Sequence, residues 1–311
     1  MTSLAGKRLL MTGGSGFVGS HLVRRLVALG CDVHLVVTPL PDRPLIADLL
    51  PRLTLHEHDG TTEGLAAIVK EVRADLAFHL ASLFLAQHGP ADLEPLVRSN
   101  VLFGTQLAEA LAVHGPHLLV NTGTSWQHLD NRAVGPVNLY AATKQAFEDI
   151  LRYYTEATPL SAVTLKLYDT YGPGDPRPKL FTLLRRVAES GEPLDMSPGN
   201  QLIDLVYIDD VVDAFIVAAE RLLDGEVEGH EDYAVSSGAP LKLRDLVEVY
   251  CQVVGRPLPI RWGARPYRDR EVMVPWNAGR RVPGWHPHVR LEDGIGRLLG
   301  TESAEGREMN T

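Results

Sequence analysis

The chain of 311 residues has only two cysteines, Cys31 and Cys251, too far apart in sequence to suggest a disulfide framework. Reduced thiols are the expectation. No apolar run reaches the roughly 18 residues needed to span a bilayer, and the first residues lack the long apolar stretch of a secretory signal. The expected location is the cytoplasm, with no membrane partner. Basic residues are the minority: 30 Lys and Arg stand against 39 Asp and Glu, a formal net charge of -9. That balance argues against a nucleic-acid partner while leaving room for local basic pockets around a phosphorylated small molecule. Metal ligands are also sparse. His56 with His58, and His286 with His288, alternate as chelating pairs can, but no cysteine or carboxylate cluster completes either site, so no metal is expected. The sequence holds no internal repeat, and the polar stretch 301–311 is expected to be disordered.

What is present is glycine in an informative place. The run Leu9-Leu10-Met11-Thr12-Gly13-Gly14-Ser15-Gly16-Phe17-Val18-Gly19 reads as a short apolar strand that breaks into glycines and restarts as an amphipathic helix. Gly13 permits the sharp turn, Gly16 lets backbone N–H groups approach a pyrophosphate, and Gly19 lets the helix pack close to the sheet. The helix, over 17–29 with Gly30 as its stop, would aim the positive end of its dipole at the phosphates. Such a turn can also be purely structural. Its position, opening the chain and followed at once by a strand at 32–37, points to a dinucleotide cradle made by Gly13, Ser15, Gly16, Phe17, Val18 and Gly19.

The first half alternates strand and helix, with strands expected at 7–12, 32–37, 53–58, 76–81, 117–122 and 162–168. This predicts an α/β fold with a doubly wound parallel sheet. With 45% hydrophobic residues the chain can bury a large core. Residues 1–168 are expected to form the dinucleotide-binding domain, with the chain returning to it around 202–222. Residues 169–201 and 223–300 are expected to form a smaller α/β substrate lobe, with a strand at 203–208, a helix at 209–222, a short strand at 233–235 and a helix near 243–253. Long helices near 93–113 and 137–156 carry apolar residues on more than one side. They either cover the sheet only or also pair with a second subunit.

A second chemical signal is Tyr140-Ala141-Ala142-Thr143-Lys144. Tyrosine and lysine four apart on a helix share a face. A free phenol titrates near 10, and a neighbouring ammonium would favour phenolate and bring it into a useful acid–base range.

Taken together, the motifs resemble the extended short-chain dehydrogenase/reductases of the NAD-dependent epimerase/dehydratase family, whose fold is a Rossmann-type sheet. The resemblance runs nearly end to end. It rests on Gly13, Gly16 and Gly19; His58-Asp59-Gly60; His79-Leu80-Ala81-Ser82; Asn100-Val101-Leu102-Phe103-Gly104-Thr105; Asn121-Thr122-Gly123-Thr124; Tyr140 with Lys144; Leu167-Tyr168-Asp169-Thr170-Tyr171-Gly172-Pro173-Gly174; Tyr207-Ile208-Asp209-Asp210-Val211; and Pro283-Gly284-Trp285. It implies that Tyr140 is the catalytic acid or base and that Lys144 holds the nicotinamide ribose. Thr122 would bond the reacting oxygen, with Thr124 touching the sugar; aligning the strand end favours this order over the reverse. Asp59 and Gly60 would meet the adenine, while Leu80, Ala81 and Ser82 line the cofactor groove. Asn100 would order the active-site helix, and Leu167 and Thr170 would contact the cofactor. Ser82, Asp169 and Arg268 would contact the substrate. A homodimer through the two long helices is a further implication.

Departures from the family pattern sharpen the expectation. Dehydratase members carry an acidic pair directly after the catalytic threonine, where this chain has Gly123 and Thr124. Ile203-Asp204 stands where an arginine–aspartate pair usually supports the diphosphate, leaving Arg268 as the phosphate contact. After the second strand the chain reads Val36-Val37-Thr38-Pro39-Leu40, with no carboxylate for the adenosine ribose, while Thr38 and Arg43 could meet a 2'-phosphate. NADP(H) is therefore favoured, with NAD(H) the alternative. The expected reaction is reduction of a keto group, at C4, on a dTDP- or CDP-linked 6-deoxyhexose. The alternatives are a 4-epimerase with retained NAD and a nonenzymatic dinucleotide sensor.

Overall fold

Short, fully buried apolar runs and amphipathic segments alternate along the computed structural model, which describes residues 3–39 and 42–300. The stretch 301–311, expected to be disordered, lies outside the described residues. The first half runs β1 (Arg8–Thr12), α1 (Phe17–Ala28), β2 (Asp32–Val37), β3 (Thr54–Glu57), α2 (Thr62–Val72) and β4 (Leu76–His79). It continues through α3 (Leu93–Val97), α4 (Phe103–His114), β5 (Leu118–Thr124), α5 (Leu139–Ala157) and β6 (Ser161–Leu167). The strand ends fall within two residues of the sequence expectation, as is usual for element boundaries.

Seven parallel strands form one sheet in the order β11-β6-β5-β4-β1-β2-β3, where β11 is His230–Val235. The chain winds one way from β1 to β3 and the other way from β4 onward, so the crevice between β1 and β4 is the topological switch point. Both faces are covered, which explains why Leu9, Leu10 and Met11 of β1 are all buried despite pointing to alternate sides. Helix α1 packs with α7 (Ile208–Leu223) on one face. Helices α2, α4 and α5 share the core of the other face through Leu65, Leu107, Leu111, Phe147 and Leu151.

The long helix expected at 93–113 is interrupted. A π-helical turn at Arg98–Leu102 separates α3 from α4, and it carries Asn100, whose side chain bonds outside its own helix. Where α4 and α5 cross, Gly104 leaves room for Phe147; a Cβ there would lie 2.7 Å from the ring.

The second half supplies β7 (Asp169–Tyr171), α6 (Leu180–Ser190), β8 (Leu194–Met196), β9 (Leu202–Ile203), β10 (Leu205–Tyr207), α7, β11, β12 (Leu241–Lys242), α8 (Leu243–Val254), β13 (Ile260–Trp262) and α9 (Leu291–Leu299). A separate core of Tyr171, Phe181, Leu184, Tyr207, Leu246, Tyr250 and Ile295 holds this lobe, and Phe17 of α1 belongs to it. Two expectations need correction. The strand expected at 203–208 is two short strands with different partners, β9 pairing β12 and β10 pairing β7. The stretch 223–300 is not all lobe, because β11 pairs β6 in parallel and completes the main sheet. Its Tyr233, Ala234 and Val235 are buried, an edge role that a three-residue apolar signal understated.

Candidate active site

A parallel sheet brings the C-terminal ends of its strands to one side. The turn after β1, Thr38 after β2, Asp59 after β3, Leu80–Ser82 after β4 and Thr122 in β5 therefore converge there although they span more than a hundred residues of sequence. In the first turn Gly13 has φ +73, and a Cβ on it would lie 2.4 Å from the Ala81 backbone N. A Cβ at Gly19 would lie 2.0 Å from the Gly13 carbonyl oxygen. Gly16 differs: its Cβ would meet only that oxygen, at 3.4 Å, and both Gly16 and Ser15 are exposed. Two glycines thus close the turn, and the third keeps its outer face open. Helix α1 has no side-chain cap at Gly16 and no acidic residue in its first turn. Its positive end is left for an anion, and these residues fit a dinucleotide pyrophosphate.

At the other end of the groove, Arg43 donates from Nη2 to the Thr38 carbonyl at 2.8 Å, so the two residues expected near a 2'-phosphate do meet. Asp59 is exposed and accepts from the Thr61 N–H (2.8 Å) and hydroxyl (2.7 Å), bonds that hold its carboxyl below the usual range. Thr61 in turn caps α2, so Asp59 acts on that helix by holding its cap residue. Gly60, at φ +88, makes the turn between them.

His79 ends β4 inside the core, 1% exposed, with its ring against Phe103 and Phe147. Thr12 Oγ1 accepts from the Ala81 N–H (3.2 Å) and shares a hydrogen bond with His79 Nδ1 (2.8 Å), tying the end of β4 to β1. Burial, aided by the Lys144 charge, pushes the imidazole down to about 3. An unfolded ring takes up a proton below about 6.5, so the folded state binds fewer protons between those values. The neutral ring's contribution is complete above pH 6.5 and is lost as pH falls toward 3, on the order of 4 kcal/mol. Denaturant unfolding between pH 7 and pH 4 should register that loss, and His79→Gln should flatten the profile.

Tyr140 and Lys144, the expected acid–base pair, stand on α5, which starts where the Asn138 side chain accepts from the Ala141 N–H at 2.9 Å. Asn138 Nδ2 also donates to the carbonyls of Leu85 (3.3 Å) and Ala86 (3.0 Å), tying the helix start to the loop after β4. Burial pushes the Tyr140 phenol up to about 12, against a hydrogen bond with Ser82 and the charge of Arg177. This corrects the expectation that Lys144 would lower it: desolvation outweighs the nearby charges. Lys144, 3% exposed, is itself pushed down to about 8 by burial, with the Glu148 charge opposing. Asn100 is 1% exposed and joins three parts of the site. Its Oδ1 accepts from the Leu83 N–H (2.8 Å) and the Ser82 hydroxyl (3.2 Å), and its Nδ2 donates to the Leu83 carbonyl (3.0 Å) and Thr143 Oγ1 (3.0 Å).

The two threonines of β5 separate by environment. Thr122 Oγ1 is buried with no hydrogen-bond partner among the described residues. Thr124 Oγ1 accepts from the Trp126 N–H at 3.3 Å and caps the following turn. Between them Gly123 has no room for a side chain: a Cβ would lie 2.9 Å from Gln127 Oε1, 3.0 Å from Thr164 Cγ2 and 3.1 Å from Lys166 Cγ.

A cleft of about 1590 Å³ opens between this edge and the lobe, with Trp126, Tyr168, Asp169, Arg177, Arg268 and Trp276 among its walls. Asp169 is paired with Lys179 at 3.3 Å, and Arg268 is exposed at the rim. Leu167 is half-buried at the end of β6, and Thr170 is buried, its hydroxyl donating to the Tyr168 carbonyl at 3.2 Å. Sequence reasoning passed over several residues that shape the site. Phe84 packs edge-on against Tyr140 at 5.0 Å and lies 5.8 Å from Trp126. Arg177 is held by Asp175 in two 2.7 Å bonds and lies 4.8 Å over the Phe17 ring beside the glycine turn. Arg270 donates to the carbonyls of Val137 (2.9 Å) and Pro136 (2.8 Å), joining the lobe to the start of α5. Asn138, also passed over, had a local signal as a cap residue before a helical pattern; Phe84, Arg177 and Arg270 matter through contacts distant in sequence.

Sheet order, glycine turn and Tyr–Lys helix together define a dinucleotide-dependent enzyme architecture of the short-chain dehydrogenase/reductase class. Residues 9–235 match the NAD dependent epimerase/dehydratase family, and the chain belongs to it. It is 27% identical over 301 residues to a CDP-abequose synthase of Salmonella typhimurium, covering 94% of this chain and 97% of that one. It is 24% identical to a dTDP-4-dehydro-6-deoxyglucose reductase of Escherichia coli, covering 94% and 96%. Among solved structures, the UDP-glucose 4-epimerase of Thermus thermophilus in complex with NAD superposes with a TM-score of 0.78 at 25% identity, covering 94% of this chain and 97% of that chain.

Proposed function

We propose that this protein reduces the C4 keto group of a dTDP- or CDP-linked 6-deoxyhexose with NADPH. The observation that carries the reading is the end of β5. Thr122 offers an unpartnered hydroxyl, while Gly123 has no space for a carboxylate and Thr124 is engaged in capping. The site therefore lacks the acidic pair that dehydration needs and keeps what carbonyl reduction needs. When bound in the groove, a reduced nicotinamide supplies the hydride. Tyr140 gives its proton to the carbonyl oxygen, and a phenol held protonated by burial suits that direction. Thr122 polarises the same oxygen. Lys144 holds the nicotinamide ribose and faces the deprotonated phenol after transfer. Asn100 keeps the Ser82 loop and α5 in register. Arg268 at the cleft rim meets the diphosphate, with Asp169 and Ser82 toward the sugar. The similarity to a dTDP-4-dehydro-6-deoxyglucose reductase supports the same reading.

Mixing the protein with NADPH and dTDP-4-keto-6-deoxyglucose, or its CDP analogue, should consume NADPH in step with sugar conversion. Tightly retained NAD with interconversion of two 4-epimers and no net consumption would replace this reading with a 4-epimerase, which the similarity to UDP-glucose 4-epimerase favours. Dinucleotide binding with no turnover across a broad nucleotide-sugar panel would leave a sensor.

The cofactor choice rests on Arg43. Held on the Thr38 carbonyl, its guanidinium stands at the end of β2, where the run Val36-Val37-Thr38-Pro39-Leu40 offers no carboxylate for the ribose. Arg43→Ser should lower the NADPH-to-NADH preference by roughly tenfold, about what one charge-assisted phosphate contact provides; an unchanged ratio of kcat/KM values would reject it. Leu93, Val97 and Leu102 before α4 and Tyr153 on α5 are exposed apolar positions, which supports a homodimer through these helices.

A further inference from the structure

Behind the β5 edge lies a buried charged cluster that the proposed chemistry does not use. Lys166 of β6 is 3% exposed, and its ammonium spends its three N–H bonds on three different elements. It meets Glu148 Oε1 of α5 at 3.1 Å, Asp232 Oδ2 of β11 at 3.2 Å and His128 Nε2, in the turn after β5, at 2.9 Å. Because Lys166 can only donate, the His128 proton sits on Nδ1, which donates to the Arg132 carbonyl at 3.1 Å. Glu148, 2% exposed, uses its second oxygen to accept from Gln127 Nε2 at 2.7 Å, and Gln127 Oε1 accepts from the Thr124 N–H at 2.9 Å. Trp276, in the cleft wall, stacks on His128 at 4.0 Å and stands 5.3 Å from the Lys166 ammonium. Glu148 is one helical turn beyond Lys144, so the cluster joins the acid–base helix to the strand end that carries Thr122.

We propose that Lys166 is a positioning residue for the acid–base helix, holding Glu148 against the β5 turn and determining how much of the Glu148 charge reaches Lys144. This rests on the reading of Tyr140 and Lys144 as the acid–base pair and adds the residue that tunes it. The charged and titratable groups that act on Lys144 are Glu148, one turn on along α5, and His79 at the end of β4. Those around Glu148 are Lys166, Arg152 at 4.0 Å, His128 and His230. Of these, Lys166 alone is a fully buried cation in direct contact. Without it the carboxylate would stand unbalanced one turn from Lys144, and the Lys144 ammonium would hold its proton to higher pH.

The chain has only six lysines, so lysine carrying a 13C label at Cε gives a spectrum in which the Lys144 signal is assigned by its loss in Lys144→Arg. Titrated this way, Lys144 should have its midpoint near 8 in the wild-type protein. Lys166→Met should raise that midpoint by roughly one unit, a tenfold change in proton affinity. Lys166→Arg should restore it, and Lys166→Met combined with Glu148→Gln should bring it below the wild-type value. A folded Lys166→Met protein with an unmoved midpoint overturns the proposal. Should that variant not fold, the double variant decides: a lowered midpoint supports the coupling and an unchanged one overturns it. No sugar enters this titration, so failure of the proposed reductase activity would leave its outcome standing.

Discussion

Replacing Tyr140 with phenylalanine is expected to reduce turnover by about 10²- to 10⁴-fold while leaving dinucleotide affinity close to wild type, the range over which positioned proton transfer acts. The ring's edge contact with Phe84 and the helix cap at Asn138 both survive the change, so what is lost is the hydroxyl, its proton and its hydrogen bond with Ser82. The measurement is NADPH consumption with the keto sugar, paired with binding followed by nicotinamide fluorescence. Near-wild-type turnover in Tyr140→Phe would remove Tyr140 from the chemistry and with it the proposed mechanism.

The glycine turn offers a second large effect and an internal contrast. Gly19→Ala forces a methyl to within 2.0 Å of the Gly13 carbonyl oxygen and 2.9 Å of Gly14 Cα. Alanine's helical preference is worth only about 1 kcal/mol, less than the up to about 3 kcal/mol that overpacking costs. The expected outcome is a lowered melting temperature together with loss of dinucleotide binding of roughly 100-fold or more, a few kcal/mol of lost contact and displaced helix end. Gly16→Ala meets only a 3.4 Å contact, so its melting temperature should stay near wild type while its binding weakens, because the added methyl stands on the open face of the turn. Equal stability losses in the two variants would mean that Gly16 is structural and that the groove is not where the pyrophosphate lies.

The fold was readable where the signal is local. Five largely buried strands showed as apolar runs, with the mostly exposed β3 beside them, and the 3.6-residue period marked α1, α5, α7 and α8. The edge strand β11 was read short because only Tyr233, Ala234 and Val235 of it are buried, while His230, Glu231 and Asp232 are half-exposed polar residues. The break at Arg98–Leu102 had no glycine or proline within it to announce it; its reason is Asn100 reaching Leu83 and Thr143.

By itself the sequence determined the strand, glycine turn and helix of the expected cradle and the placement of Tyr140 and Lys144 one turn apart on a helix, since both depend on spacing within one strand–turn–helix or one helical turn. It also determined that no acidic pair follows Thr122. Only the tertiary structure decided which threonine keeps a free hydroxyl, because Thr124 is engaged by a turn that its neighbours build. It likewise decided that the Tyr140 phenol is pushed up rather than down, since desolvation belongs to the packed site. The junction of Lys166 with Glu148, Asp232 and His128 follows the same reasoning: four residues spread over more than a hundred positions meet only once the parallel strands have aligned their ends.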